Sequence, residues 1–207
     1  MKVKMQDYDR IYKTINTIIL NEDADPTAAC TFFAFYGASI LEKHYKIDAK
    51  AVAGTCMYHL GGEENVLCFG QIYNSNLIAS PTGFHCWILA EDYFIDFMAP
   101  NFPDLLKRSG QSFSCKPKMM QKPLSKMAGA VDGLQKKGDY YFNISTEMTN
   151  NRMQYLLSSK AYLDLEDICI NWYKKPPKNM AKHIQISDGK GNQNLISLTG
   201  KSVVGAW

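Results

Sequence analysis

No run of apolar residues in this sequence reaches the roughly 18 needed to span a bilayer. The amino terminus, Met1-Lys2-Val3-Lys4-Met5-Gln6-Asp7, also lacks the apolar core of a secretory signal. A cytoplasmic protein with no membrane partner is therefore expected. An excess of one charge is missing too. The formal net charge is +3, and neither a basic helix face nor basic residues interleaved with aromatics accompany it, so nucleic acid is not an expected partner. The lysines scattered from Lys107 to Lys137 lack the glycine spacing of a phosphate loop and read as solvated surface. No Cys-x-x-Cys pair occurs among the six cysteines, which excludes a zinc ribbon or a thioredoxin-type motif. Free thiols are expected in such a chain. Cys56 and His59, like His85 and Cys86, would point to opposite faces of their strands. They do not converge, and neither a metal nor a cofactor is expected.

The chain has 207 residues with 46% hydrophobic and 21% charged, enough for one domain with a sizeable core. Repeats and long linkers are absent, so residues 1–207 read as a single domain. Tyr8, Ile11, Tyr12, Ile15, Ile18 and Ile19 recur every three or four residues, which predicts an amphipathic helix over 5–20. Asp25-Pro26 has the chemistry of an N-cap followed by the first helical position, so a second helix is expected from there to about Tyr45. Its run from Thr31 to Leu41 is apolar on nearly every face, which predicts burial at the centre of the domain. Strands are expected over 50–60 and 65–73, joined by a turn at Gly61-Gly62-Glu63-Glu64, and 74–83 reads as a loop. Phe84–Ala90 and Tyr93–Met98, separated by Glu91-Asp92, make the clearest hairpin. Beyond it come an irregular proline-punctuated region with a short helix near Asp104–Arg108 and a strand over 139–144. One or two helices over 147–173 come next, then a tail of short strands with turns at Asp188-Gly189 and Thr199-Gly200. Helices first and an antiparallel sheet after them give an α+β class.

Cys30 falls in the first turns of the buried helix, where unpaired N–H groups and the helix dipole favour a thiolate. In the hairpin, a two-residue turn pairs Ala90 with Tyr93 and Ile88 with Ile95. His85, Trp87 and Asp96 then share one face, with Asp96 diagonal to His85. A carboxylate there can take the imidazole Nδ1–H and leave Nε2 free to accept a proton.

A Cys at the amino end of a central helix, then His85-Cys86-Trp87 on a strand, then Asp96 on the adjoining strand resembles the papain-like cysteine superfamily. The transglutaminase-like and arylamine N-acetyltransferase-like branch is the most similar. The resemblance covers residues 25–98, and the whole sequence is also similar to a bacterial domain family placed in that superfamily. It implies a papain-like fold with Cys30 as nucleophile, His85 as base and Asp96 as orienting acid. It also implies a thioester intermediate on a peptide, amide or thioester substrate. The glutamine that papain-like peptidases place about six residues before the nucleophile is Ala24 here, and Thr31 follows the cysteine in place of an aromatic residue. The oxyanion would then rest on the Cys30 backbone N–H and a second donor, for which Asn21 and Trp87 are candidates. The alternative is a catalytically inactive member acting as a binding or inhibitory protein.

Overall fold

The structure, a computed structural model, describes residues 2–62, 65–74, 76–187 and 190–207. Of the sequence positions assigned to turns and loops, Glu63, Glu64, Ser75, Asp188 and Gly189 lie outside them. Helix α1 (Met5–Asn21) buries the expected stripe of Tyr8, Ile11, Tyr12, Ile15, Ile18 and Ile19. The second helix starts differently from its expected form. Asp25 caps only a single 3-10 turn, Pro26–Ala28, accepting from Thr27 N–H at 2.9 Å. The chain then resets at Ala29, and α2 runs from Cys30 to Tyr45. Tight 3-10 turns are common at helix starts. The consequence here is that Cys30 becomes the first residue of the α-helix.

Helix α2 is the central element. It packs against α1, the sheet and a late helix, and buries Phe33, Ala34, Tyr36, Gly37, Ile40 and Leu41 among its residues. The sheet is antiparallel. Strand β1 (Ala49–His59) is followed by β2 (Val66–Phe69), and a small hairpin of β3 (Gln71–Tyr73) and β4 (Asn76–Ile78) comes next. That hairpin replaces the loop expected over 74–83, because Asn74, at φ 47°, turns the chain and lets the short strands pair. Strands β5 (His85–Ala90) and β6 (Tyr93–Asp96) form the expected two-residue hairpin, with Ala90 opposite Tyr93 and Ile88 opposite Ile95. After α3 (Phe102–Arg108), β7 (Met120–Pro123) extends the sheet beside β6. Its proline and lysine content hid it, and Pro123 is tolerated at the strand's end. Strand β8 (Tyr140–Ile144) pairs with β1. Helices α4 (Thr146–Leu157) and α5 (Lys160–Trp172) and a separate two-stranded β9 (His183–Ser187) and β10 (Gln193–Ser197) complete the chain. The result is a mixed α and β domain around a curled antiparallel sheet. Among the described residues, no helix is long and apolar enough to cross a membrane.

Strand β1 changes partners along its length. Gly54 pairs with His85 of β5 on one edge and Ile144 of β8 on the other, while Cys56 pairs with Phe69 of β2 and Phe142 of β8. Strand β8 is continuous along one edge, so β5 and β2 share the other, and the sheet splits between them at Thr55. His85 and Phe69 face each other across this split. Gly54 itself has no room for a side chain, since a Cβ there would meet the Asn143 carbonyl oxygen at 2.0 Å.

The closeness of α2 to the sheet also requires Gly37, where a Cβ would lie 2.5 Å from the buried Phe97 ring and 3.0 Å from Ile88. Alanine is the better helix former by about 1 kcal/mol, but overpacking a buried contact costs about 1–3 kcal/mol. Gly37→Ala should therefore lower the urea midpoint with little change in its slope. A stabilised variant would show that α2 can shift away from the sheet.

Candidate active site

Three segments converge at the split. Strand β5 begins at His85, β6 ends at Asp96, and α2 begins at Cys30. His85 is 0% exposed and Asp96 1%. A carboxylate so enclosed must be matched by donors, and Asp96 has three. Its Oδ2 accepts from His85 Nε2 at 2.8 Å and from the Tyr58 hydroxyl at 2.7 Å, and its Oδ1 accepts from the Met98 N–H at 2.9 Å. The Tyr8 hydroxyl donates to the Asp96 carbonyl, so the main chain is anchored as well. Burial, then the Asp96 charge, pushes the Tyr58 hydroxyl well above its usual range and keeps it a donor.

The expected contact between His85 and Asp96 is present, but through the other nitrogen. Diagonal neighbours on antiparallel strands stand about 7–8 Å apart, a span that suits the far nitrogen of the ring, Nε2, better than Nδ1 beside its own backbone. Nδ1 is enclosed with no hydrogen-bond partner in this form, and Cys30 is near enough to add to the rise of the imidazole. The Phe69 ring stacks on the imidazole, with centroids 4.1 Å apart and planes within 20°.

Burial opposes a charged His85. The Asp96 charge and hydrogen bond outweigh it with help from Cys30, and the imidazole is raised to about 9. Cys30 moves the opposite way and is held well below the usual thiol range. The largest cause is a hydrogen bond from the Cys86 thiol. Burial works against it, and the hydrogen bond and positive charge of His85 add to it, followed by the Cys86 backbone N–H. The start of α2 contributes in the same direction, because its first amides have no intrahelical acceptor. Burial, then the Cys30 sulfur, drives the Cys86 thiol well above its range, and Thr31 Oγ1 lies 3.6 Å from Cys86 Sγ. The arrangement favours a thiolate, an imidazolium and a carboxylate in sequence.

The structure thus brings together Cys30, His85 and Asp96. Asn21 lies exposed at the end of α1, its amide donating to Glu22 at 3.1 Å. Trp87 is fully buried on the Phe94 and Phe142 rings, its indole N–H enclosed without a partner. Sequence reasoning missed Tyr58 and Cys86. Cys86 points away from His85 along the strand, so the period-two rule gave no reason to join them, yet both act on Cys30. Among the described residues no group of three or more His, Cys, Asp or Glu is placed to hold a metal ion.

The proton bookkeeping of the pair is testable. His85, raised to about 9, contributes stability that is complete below about 6.5 and lost as pH rises through 9. Cys30, lowered, contributes stability that grows as pH rises toward the unfolded thiol value, 9.0. Between about 6.5 and 9 the two oppose each other, so the native protein should show little pH dependence of stability from this pair. Cys30→Ala leaves His85 unopposed. Without Cys30 the imidazole is raised by Asp96 alone, so the urea-unfolding free energy should fall as pH rises above about 6.5 and level off below 9, and a flat profile would mean that Asp96 by itself does not raise His85.

One solved structure, described as "The crystal structure of genomics APC5867", is 35% identical to this chain, covers 100% of it and 98% of its own length, and superposes with a TM-score of 0.89. No curated protein matches the sequence. Residues 4–207 match the family described as "Protein of unknown function (DUF2026)", and the chain belongs to that family.

Proposed function

We propose that this chain is a papain-like cysteine hydrolase or acyltransferase that works through a Cys30 thioester. The single observation that carries the reading is His85, wholly buried against the Asp96 carboxylate and coupled to Cys30, with its protonated form favoured. Such a triad does nucleophilic acyl chemistry. The Cys30 thiolate attacks the carbonyl carbon of a peptide, amide or thioester, and the carbonyl electrons move to oxygen. The N-terminal amides of α2, that of Cys30 first, offer that oxyanion hydrogen bonds. The imidazolium Nδ1–H protonates the leaving amine or thiolate as the carbon–heteroatom bond breaks. Water or an amine then attacks the thioester, imidazole Nδ1 takes its proton, and the Cys30 thiolate leaves. Asp96, held by Tyr58 and Met98, keeps Nε2 occupied and the ring oriented throughout.

A second reading has its own observation. Cys30 is only 7% exposed and Phe69 covers the imidazole, so the site is closed in this form. A binding or inhibitory protein with a silent triad would have no need to open it.

Labelling separates the two. An active site should carboxamidomethylate Cys30 with iodoacetamide at pH 6 far faster than the other thiols, as read by peptide mass spectrometry. His85→Ala should slow that rate, because the thiolate then loses the hydrogen bond and positive charge of the imidazolium while burial continues to oppose its charge. A p-nitrophenyl ester should leave an acyl group on Cys30 in the native protein. If Cys30 labels no faster than a free thiol and carries no acyl group, the enzyme reading fails and the silent one stands.

A further inference from the structure

Arg152 is a charged side chain in this part of the molecule that the proposed chemistry does not use. Helix α4 is tied to strand β1 at Ala53. Thr149 Oγ1 accepts from the Ala53 N–H at 2.9 Å, and Ser145 N–H donates to the Ala53 carbonyl at 2.9 Å. Ala53 is the β1 residue paired with Cys86. Three positions beyond Thr149, on the same helix face, Arg152 places its guanidinium carbon 5.1 Å from the ring centre of Phe84, the residue just before His85. It lies 5.5 Å from that of Tyr155.

Among the described residues this guanidinium has no carboxylate partner. The ion pairs among the described residues are all made by other cations, and Arg152 takes part in none. Its Nε is buried with no hydrogen-bond partner, while the residue as a whole is only half-buried. Contact with the Phe84 and Tyr155 rings offsets part of the cost but accepts none of the N–H groups. A planar fork held between two rings with its donors unspent is suited to bidentate binding of a carboxylate. Its positive charge reaches the Cys86 thiol, where it slightly offsets the burial that keeps that thiol above its usual range.

We propose that Arg152 is a specificity residue that binds a carboxylate carried by the acyl donor. The substrate class would then be anionic acyl compounds, with the carboxylate one short chain away from the carbonyl that Cys30 attacks. This rests on the reading of Cys30 as the nucleophile.

Iodoacetate and iodoacetamide differ by little more than one charge, and either forms the Cys30 S–C bond with loss of iodide. The measured quantity is the ratio of their labelling rates at Cys30, in which any change of thiolate fraction cancels. The imidazolium also attracts anions, so the change on removing Arg152 is the informative part. In the native protein the ratio should exceed that of glutathione. Arg152→Gln should lower it at least tenfold, and Arg152→Lys, which keeps the charge but loses the fork, should fall between. With Arg152→Gln folded by circular dichroism, an unchanged ratio overturns the proposal while leaving Cys30 as nucleophile. If that variant does not fold, a Lys variant with the native ratio overturns the forked carboxylate site. If neither reagent labels Cys30 rapidly, the nucleophile reading fails and this one with it. Acylation by mono-p-nitrophenyl glutarate over p-nitrophenyl valerate should show the same preference and the same loss, and equal rates with the two esters count against it.

Discussion

A carboxylate that is 1% exposed sets the terms for this domain. Stripping an ion of water costs several kcal/mol unless its lone pairs are filled, and Asp96 meets that demand with His85, Tyr58 and Met98. Those partners come from β1, β5 and the chain just past β6, and Tyr8 of α1 holds the same residue's carbonyl. Satisfying one buried charge therefore locks three parts of the sheet and the first helix in place. The raised imidazole is a by-product of the same constraint, since a ring fixed against a carboxylate becomes more basic.

The sheet makes room for this by splitting. Strand β1 exchanges β5 for β2 along one edge between Gly54 and Cys56. Gly54 lets β8 close against the opposite edge at that level, where a Cβ would meet Asn143. His85 thus begins a strand instead of lying mid-ladder, and its ring is covered by Phe69. Helix α2 can then bring its first residue to the end of β5, while Gly37 lets the rest of the helix lie close on Ile88 and Phe97. The helix's apolar character on all sides fits this position, for it has neighbours on nearly every face.

Local pattern carried a good part of this. The three-and-four spacing of Tyr8 to Ile19, the apolar run after Cys30 and the two-residue break at Glu91-Asp92 each depend on residues close in sequence. The first helix and the hairpin formed where expected, and the second helix formed with its start moved from Pro26 to Cys30. The period-two rule also put His85 and Asp96 within reach of each other, because sharing a strand face is a property of the register alone.

What the sequence by itself determined was therefore the elements, the α+β order and the facing of His85 toward Asp96, since these rest on short-range periodicity and turn chemistry. Only the tertiary structure decided that Nε2 and not Nδ1 meets the carboxylate, and that Tyr58 completes its shell. It alone set Cys86 and Cys30 in contact, laid Phe69 over the imidazole and placed Arg152 beside Phe84. It also made Met120–Pro123 a strand, which its composition argued against. Each of these is a meeting of segments many residues apart. Such contacts are chosen by the packing of α2, α4 and the split sheet around shared buried groups, and no local spacing encodes that choice.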